Sequence, residues 1–221
     1  MEVLKNCRVY PLSNYCSAEE HLFELPREIG AQGSGFRHVH LVEHSFRLTE
    51  AKTKLVEANI DSGAGLVVVI DVISCWKKRL GGRANVCYLN SGSTCHMEGL
   101  INFLSQLVEN PLEALRRCNC KATFTQASIQ GIVIDNLSYT QTPGSLRDFN
   151  ILFKLLRTLR TTYGCWSLTT SYGLEYYNGI ESLTSAAYTT GTTYTKIPHS
   201  YIKEMDSVIM RDTPGTMHTL K

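Results

Sequence analysis

Gly131-Ile-Val-Ile-Asp135 is a continuously apolar run that stops on a carboxylate, and its reading decides the fold class. A strand with no polar alternation has both faces covered, as central strands of parallel sheets do between two layers of helices. A second run of this kind, Leu66 to Ile73, turns polar at Asp71. Shorter β-branched runs surround these two at Arg8-Val-Tyr, Arg37 to Val42, Asn85 to Leu89, Cys165 to Thr169 and Ser207 to Arg211.

Helical patterns fill the spaces between them. Thr49 is placed to cap a helix over residues 50–58. Met97, Leu100, Ile101, Leu104 and Leu107 recur at helical spacing up to a break at Asn110-Pro111, where Asn110 reads as a new N-cap with Glu113 reaching back. Phe149, Leu152, Leu156, Leu159 and Tyr163 form one stripe of a third helix over 147–163. Strands alternating with helices predict an α/β fold: a mostly parallel central sheet flanked by helices. One domain spanning residues 1–221 suffices for this length.

Composition bounds the function. Hydrophobic residues make up 43% and charged residues 19%, which suits a folded core and argues against disorder. The formal charge of +2 is too mild to mark a nucleic-acid binder, so any such role requires locally clustered cations. The longest apolar run is strand-sized, so no membrane association is expected, and the N-terminus lacks the charged flank and long apolar stretch of a signal peptide. Cys75, Cys87 and Cys165 lie in apolar segments and read as reduced thiols of a cytosolic or nuclear protein.

An apolar strand ending in Asp invites a P-loop NTPase reading, in which that Asp holds magnesium. The phosphate cradle needs Gly-x-x-x-x-Gly-Lys-Ser/Thr, because glycines let backbone N–H groups approach the phosphates. No Gly-Lys dipeptide occurs in the chain. The best-placed stretch, Phe46-Arg-Leu-Thr-Glu-Ala-Lys52-Thr53, keeps Lys and Thr but has neither glycine and puts Glu50 where phosphate would sit. The P-loop therefore reads as degenerate, with no cofactor and no ATP hydrolysis expected. Gly30, Gly33 and Gly35 precede a strand and read as a flexible loop.

His38-Val-His40 places two imidazoles on one strand face, the geometry of a metal pair, but no third ligand stands at motif spacing. Cys118-Asn-Cys120 and Cys95-His96 lack the CxxC spacing of a zinc ribbon. No metal site and no nucleophile elbow are expected.

Several stretches also match a known family. They are Met1-Glu-Val-Leu-Lys-Asn, Arg8-Val-Tyr-Pro-Leu-Ser-Asn14, Ala114-Leu-Arg-Arg-Cys118 and Gly131-Ile-Val-Ile-Asp-Asn-Leu-Ser138. Gly164-Cys-Trp166, Tyr177-Asn-Gly-Ile-Glu181 and Lys196-Ile-Pro-x-Ser-Tyr-x-Lys-x-Met-Asp206 follow in the same order. Together they resemble the Psy-type subunit of the budding-yeast Shu complex, a diverged paralogue of RecA-like recombinases. The resemblance implies a non-catalytic RecA-like core in a heterodimer with the complex's Csm-type RecA-like subunit. It implies further Shu subunits, one with a SWIM motif, and a nuclear role in loading the recombinase filament on single-stranded or fork DNA. It implies participation in homologous recombination and error-free damage tolerance, and it places the recombinases' catalytic glutamate near Ile73, where none stands.

By the same resemblance, loops at about Tyr139 to Leu146 and Tyr172 to Pro198 face DNA. The relatives' basic cluster in the second loop is replaced here by Ser-Ala-Ala-Tyr-Thr-Thr-Gly-Thr-Thr-Tyr. No acidic residue occurs between Ser182 and Lys203, so Tyr188, Tyr194, Lys196 and Lys203 form one candidate DNA surface, with aromatic rings to stack on unpaired bases. Lys77, Lys78, Arg79 and Arg83 form another, in a window from Val72 to Met97 that contains no carboxylate. Val9, Tyr10, Leu12 and Tyr15 are candidates for the partner interface. Two alternatives stand beside this reading: an ATP-binding RecA-family protein that uses Lys52 in an unconventional P-loop, and an interaction scaffold without DNA contact.

Overall fold

The computed structural model describes residues 19–26, 35–44, 48–63, 65–118, 129–140, 145–173, 195–211 and 217–221. The expected strand at Arg8-Val-Tyr, the four candidate interface residues, Gly30 and Gly33 lie outside them.

Among the described residues, seven strands form one sheet: β3 (His38–Glu43), β4 (Leu66–Asp71), β5 (Val86–Leu89), β6 (Ile129–Asp135), β7 (Trp166–Tyr172), β8 (Ser207–Arg211) and β9 (Met217–Thr219). Their order is β5-β4-β6-β7-β3-β8-β9, so the first strand of the sheet in sequence lies inside it, between β7 and β8. Every neighbouring pair is parallel except β8 and β9. This is the expected mostly parallel sheet flanked by helices. A separate two-stranded ribbon, β1 (Phe23–Glu24) with β2 (Gly35–Phe36), packs against it through Phe23, whose ring meets that of Trp166, so Gly35 pairs in a strand instead of belonging to a loop.

Side-chain alternation divides the core into two. Leu66, Val68, Ile70, Ile132 and Ile134 face a layer built from α3 (Met97–Glu109), α4 (Pro111–Arg116), α5 (Leu146–Tyr163) and α6 (His199–Lys203). Val67, Val69, Val133 and Leu168 face α1 (Glu50–Asp61) and α2 (Lys77–Leu80). Each buried aliphatic side chain contributes roughly 1.5–3 kcal/mol, which explains why β4 and the stretch of β6 from Gly131 to Ile134 are apolar up to their closing aspartates.

The helix ends are capped where the residue types allow it. Thr49 Oγ1 accepts the Lys52 N–H at 3.3 Å, and Asn110 Oδ1 accepts that of Glu113, also at 3.3 Å. The Glu113 carboxylate pairs with Arg116 at 3.3 Å. Ser145 and Asp148 form a reciprocal capping box that starts α5, and Gly164 ends it at φ 69°. Gly131 lets β6 pass close to β7: a Cβ there would stand 2.3 Å from ring atoms of Trp166.

Candidate functional site

In an open parallel sheet, ligands meet the carboxyl ends of the strands. Glu43 ends β3, Asp71 ends β4 and Asp135 ends β6, and all three are buried. Lys52 rises to meet them from the first turn of α1. Its Nζ donates to Glu43 Oε2 and to Asp135 Oδ2, each at 2.7 Å, and the three side chains are 2% exposed or less.

Asp135 is further surrounded by donors. Trp76 Nε1–H donates to Oδ2 at 2.5 Å, Thr170 Oγ1–H to Oδ1 at 2.5 Å, and the Cys75 thiol to Oδ2 at 3.4 Å. Its neighbour Asp71 accepts the backbone N–H groups of Cys75 (3.1 Å) and Trp76 (2.8 Å) and the Tyr88 hydroxyl (2.8 Å). The Lys52 ammonium also lies 5.7 Å from the centre of the Trp76 ring. The peptide bond after Asp135 is cis.

The electrostatics follow from this burial. Desolvation pushes the Glu43 carboxyl up to about 7 against the pull of Lys52, with the Asp135 charge adding to the rise. Burial also opposes the charge on Asp135, but the Lys52 ammonium and the donated hydrogen bonds outweigh it and hold Asp135 below its usual range. Lys52 is raised, because its two carboxylates overcome the cost of burying it. Asp71 is raised by burial. Asp71, Cys75 and Asp135 have ligand atoms within 4.8 Å of one another, the spacing of a metal cluster. Each of those side chains already has the protein partners named above, so the donor set does not favour a cation there.

The residues singled out for phosphate therefore have other work. Lys52 neutralises carboxylates, and the Thr53 hydroxyl donates to the Thr49 carbonyl at 2.8 Å. Glu50 stays exposed, paired with Lys54 at 2.8 Å. Phe46 and Arg47 lie outside the described residues.

The histidine pair shares a strand face as expected, but that face is interior. His38 Nδ1 is 2.8 Å from Ser167 Oγ, and the two nitrogens of His40 are each 2.8 Å from the hydroxyls of Thr169 and Ser171. Burial lowers His38 to about 4 and His40 to about 3, so both are neutral spacers between β3 and β7. Cys118 is buried, with its thiol 3.8 Å from the Ala114 carbonyl.

The proposed DNA residues separate. Lys77, Lys78 and Arg79 form the exposed turn of α2, just after β4. The carboxylate-free window does not leave this region un-neutralised. Glu57 on α1 lies 3.5 Å from Arg79 and 3.1 Å from Arg83, and Asp61 lies 2.7 Å from Arg83. Lys77 and Lys78 have no carboxylate partner among the described residues. Lys196 and Lys203 are exposed at the two ends of the segment containing α6, on the opposite layer from α2. Tyr188 and Tyr194 lie outside the described residues.

A family model described as Shu complex component Psy3, DNA-binding description, matches residues 7–214. The chain belongs to that family. Platinum sensitivity protein 3 of Saccharomyces cerevisiae is 38% identical over 230 residues, covering 96% of this chain and 93% of the yeast protein. A KaiC-like protein from Pyrococcus horikoshii matches 90% of this chain and 87% of its own, at 11% identity and a TM-score of 0.48. EssC ATPases 2 and 3 from Geobacillus thermodenitrificans match 82% of this chain at 14% identity and a TM-score of 0.45, and the match spans only 30% of that EssC chain. This chain is thus a Psy3-family Shu complex component. Among the described residues no helix is long and apolar enough to cross a membrane.

Proposed function

We propose that this Psy3-family chain is a non-catalytic, single-domain nuclear subunit of a Shu-type recombination mediator. It pairs with the Csm-type RecA-like subunit and joins the other Shu subunits, including the one with the SWIM motif. The assembly promotes recombinase filament formation on single-stranded or fork DNA, in homologous recombination and error-free damage tolerance. The observation that carries the non-catalytic reading is the Lys52–Asp135 contact at 2.7 Å. A phosphate-binding lysine and a magnesium-binding aspartate that neutralise each other inside the core leave neither free for a nucleotide, which is what a degenerate P-loop requires.

DNA contact is assigned to Lys77, Lys78, Arg79 and Arg83, with Tyr188, Tyr194, Lys196 and Lys203 as a second surface. Lys77 and Lys78 are the strongest of these, being exposed and without a carboxylate neighbour among the described residues. Phosphate contacts of this kind release counterions and make affinity fall steeply with salt.

The test is fork-DNA binding by this chain co-purified with its Csm-type partner, across a salt series. Salt-sensitive binding that weakens when Lys77, Lys78, Arg79 and Lys196 are changed to Glu supports direct contact. Binding untouched by those changes makes this subunit a scaffold whose partner holds the DNA. Stoichiometric binding of a fluorescent ATP analogue, lost in Lys52→Ala, would overturn the degenerate P-loop.

A further inference from the structure

Trp76 is the residue immediately before Lys77-Lys78-Arg79, and buried carboxylates hold it at both ends. Asp71 takes its backbone N–H at 2.8 Å, and Asp135 takes its indole N–H at 2.5 Å. The helix that follows has little of its own to fix it. α2 is four residues long, buries only Leu80, and has no side-chain cap at its N-terminus. One helical turn is marginal in isolation, because nucleation fixes several dihedrals for a single hydrogen bond. The ion pair from Arg79 to Glu57 is 3.5 Å long with Arg79 52% exposed, and such contacts contribute little.

The approach to α2 is also constrained. Ser74 stands at φ 61°, a left-handed conformation that a non-glycine residue keeps only when its surroundings impose it. Asp71 supplies that constraint on the far side by gripping Cys75 N–H at 3.1 Å, and Asn90 Nδ2–H donates to Ser74 Oγ at 2.9 Å. Direction and placement of the turn therefore trace back to the two carboxylates, and through Asp135 to Lys52.

We infer that Asp71 and Asp135 are positioning residues for a phosphate-contacting turn: by gripping Trp76 they present Lys77, Lys78 and Arg79 beyond the end of β4. The buried network at the carboxyl edge thus orients a cationic helix in place of holding a nucleotide. This rests on the reading of α2 as a DNA contact.

The experiment uses the heterodimer with Trp76→Phe, which removes the indole donor and keeps an aromatic ring, and with Asp71→Asn as an independent variant. Lys77→Gln/Lys78→Gln/Arg79→Gln serves as the charge variant. Three quantities are read: hydrogen exchange of the amides at 77–80, fork-DNA affinity, and the slope of log affinity against log salt. The expected result for Trp76→Phe and Asp71→Asn is faster exchange in α2, about threefold to tenfold weaker binding and a salt slope reduced by about one phosphate contact. Adding the charge variant to Trp76→Phe then lowers affinity no further than the charge variant alone.

Parental exchange at 77–80 in both variants overturns the inference. So does faster exchange with unchanged affinity and slope while the charge variant binds weakly, because the grip would then be irrelevant to contact. If the charge variant itself binds as the parent does, the DNA reading of α2 has failed, and the positioning role falls with it whatever the exchange shows.

Discussion

Replacing Lys52 by Met removes the one cation that two buried carboxylates share. At an effective dielectric of about 20, each 2.7 Å contact is worth roughly 6 kcal/mol of attraction. The geometry lets the carboxylate oxygens lie no more than about 5.4 Å apart, twice the contact distance, so they repel by at least roughly 3 kcal/mol. Desolvation of three charges offsets most of the net attraction, so the intact triad is nearly neutral for stability. Its rupture is not. The variant leaves uncompensated charge in the core, and the expected loss is about 3–5 kcal/mol at pH 8. That is a large share of the roughly 5–15 kcal/mol available to a domain.

At pH 5 the loss should shrink, because Glu43, raised to about 7, is then protonated and only Asp135 remains charged, with Thr170 and Trp76 still donating to it. Urea unfolding followed by tryptophan fluorescence at the two pH values measures both quantities, since Trp76 sits in the network and Trp166 in the core. Changing Lys52→Met, Glu43→Gln and Asp135→Asn together should recover most of the loss. A single variant within 1 kcal/mol of the parent at pH 8 would refute the reasoning.

Other outcomes follow from the same structure. Glu43→Gln imitates the protonated acid. The parent's stabilisation from this group is complete below its ordinary value of 4.5 and lost as pH rises through about 7, so the variant gains roughly 3 kcal/mol over the parent by pH 8 and nothing at pH 4.5, read as the difference between their urea midpoints. His40 has the opposite sign: held at about 3 in the fold against 6.5 unfolded, it costs about 1.4 kcal/mol per pH unit as pH falls below 6.5. His40→Gln, which retains a hydroxyl partner, should therefore flatten the acid limb of the stability profile. Gly131→Ala pushes a methyl into the Trp166 ring at 2.3 Å, with an expected loss of about 1–3 kcal/mol and a lower thermal midpoint.

Much of the architecture was legible because it is governed by near neighbours. The runs at 66–70 and 131–134 read as fully covered strands, and β4 and β6 lie inside the sheet, second and third from its β5 edge, with every residue buried. Thr49 and Asn110 cap where their side chains reach N–H groups three residues away. Elements too short for periodicity escaped: β1, β2, β9, α2 and α6 span two to five residues each. The pattern places the end of the first helix at residue 58, and it runs on to Asp61 because nothing in its last turn signals a stop.

For the site, residue types marked Asp135 and Lys52 as candidates, and the missing glycines argued against a nucleotide. Composition also identified Lys77 to Arg83 as a basic window. It did not reveal that Glu57 and Asp61, from the preceding helix, stand beside Arg79 and Arg83. Nor did it single out Glu43 or Trp76, whose roles carry no local signal.

By itself, then, the sequence determined which segments are buried, where helices begin, and the family to which the chain belongs, because burial and capping depend on side chains a few residues apart. Only the tertiary structure decided what the charges do. Lys52 and Asp135 are 83 positions apart, and they meet because β3 inserts between β7 and β8 and brings α1 over the end of β6. In a low-dielectric interior a charge must find its opposite, and strand order determines which one it finds.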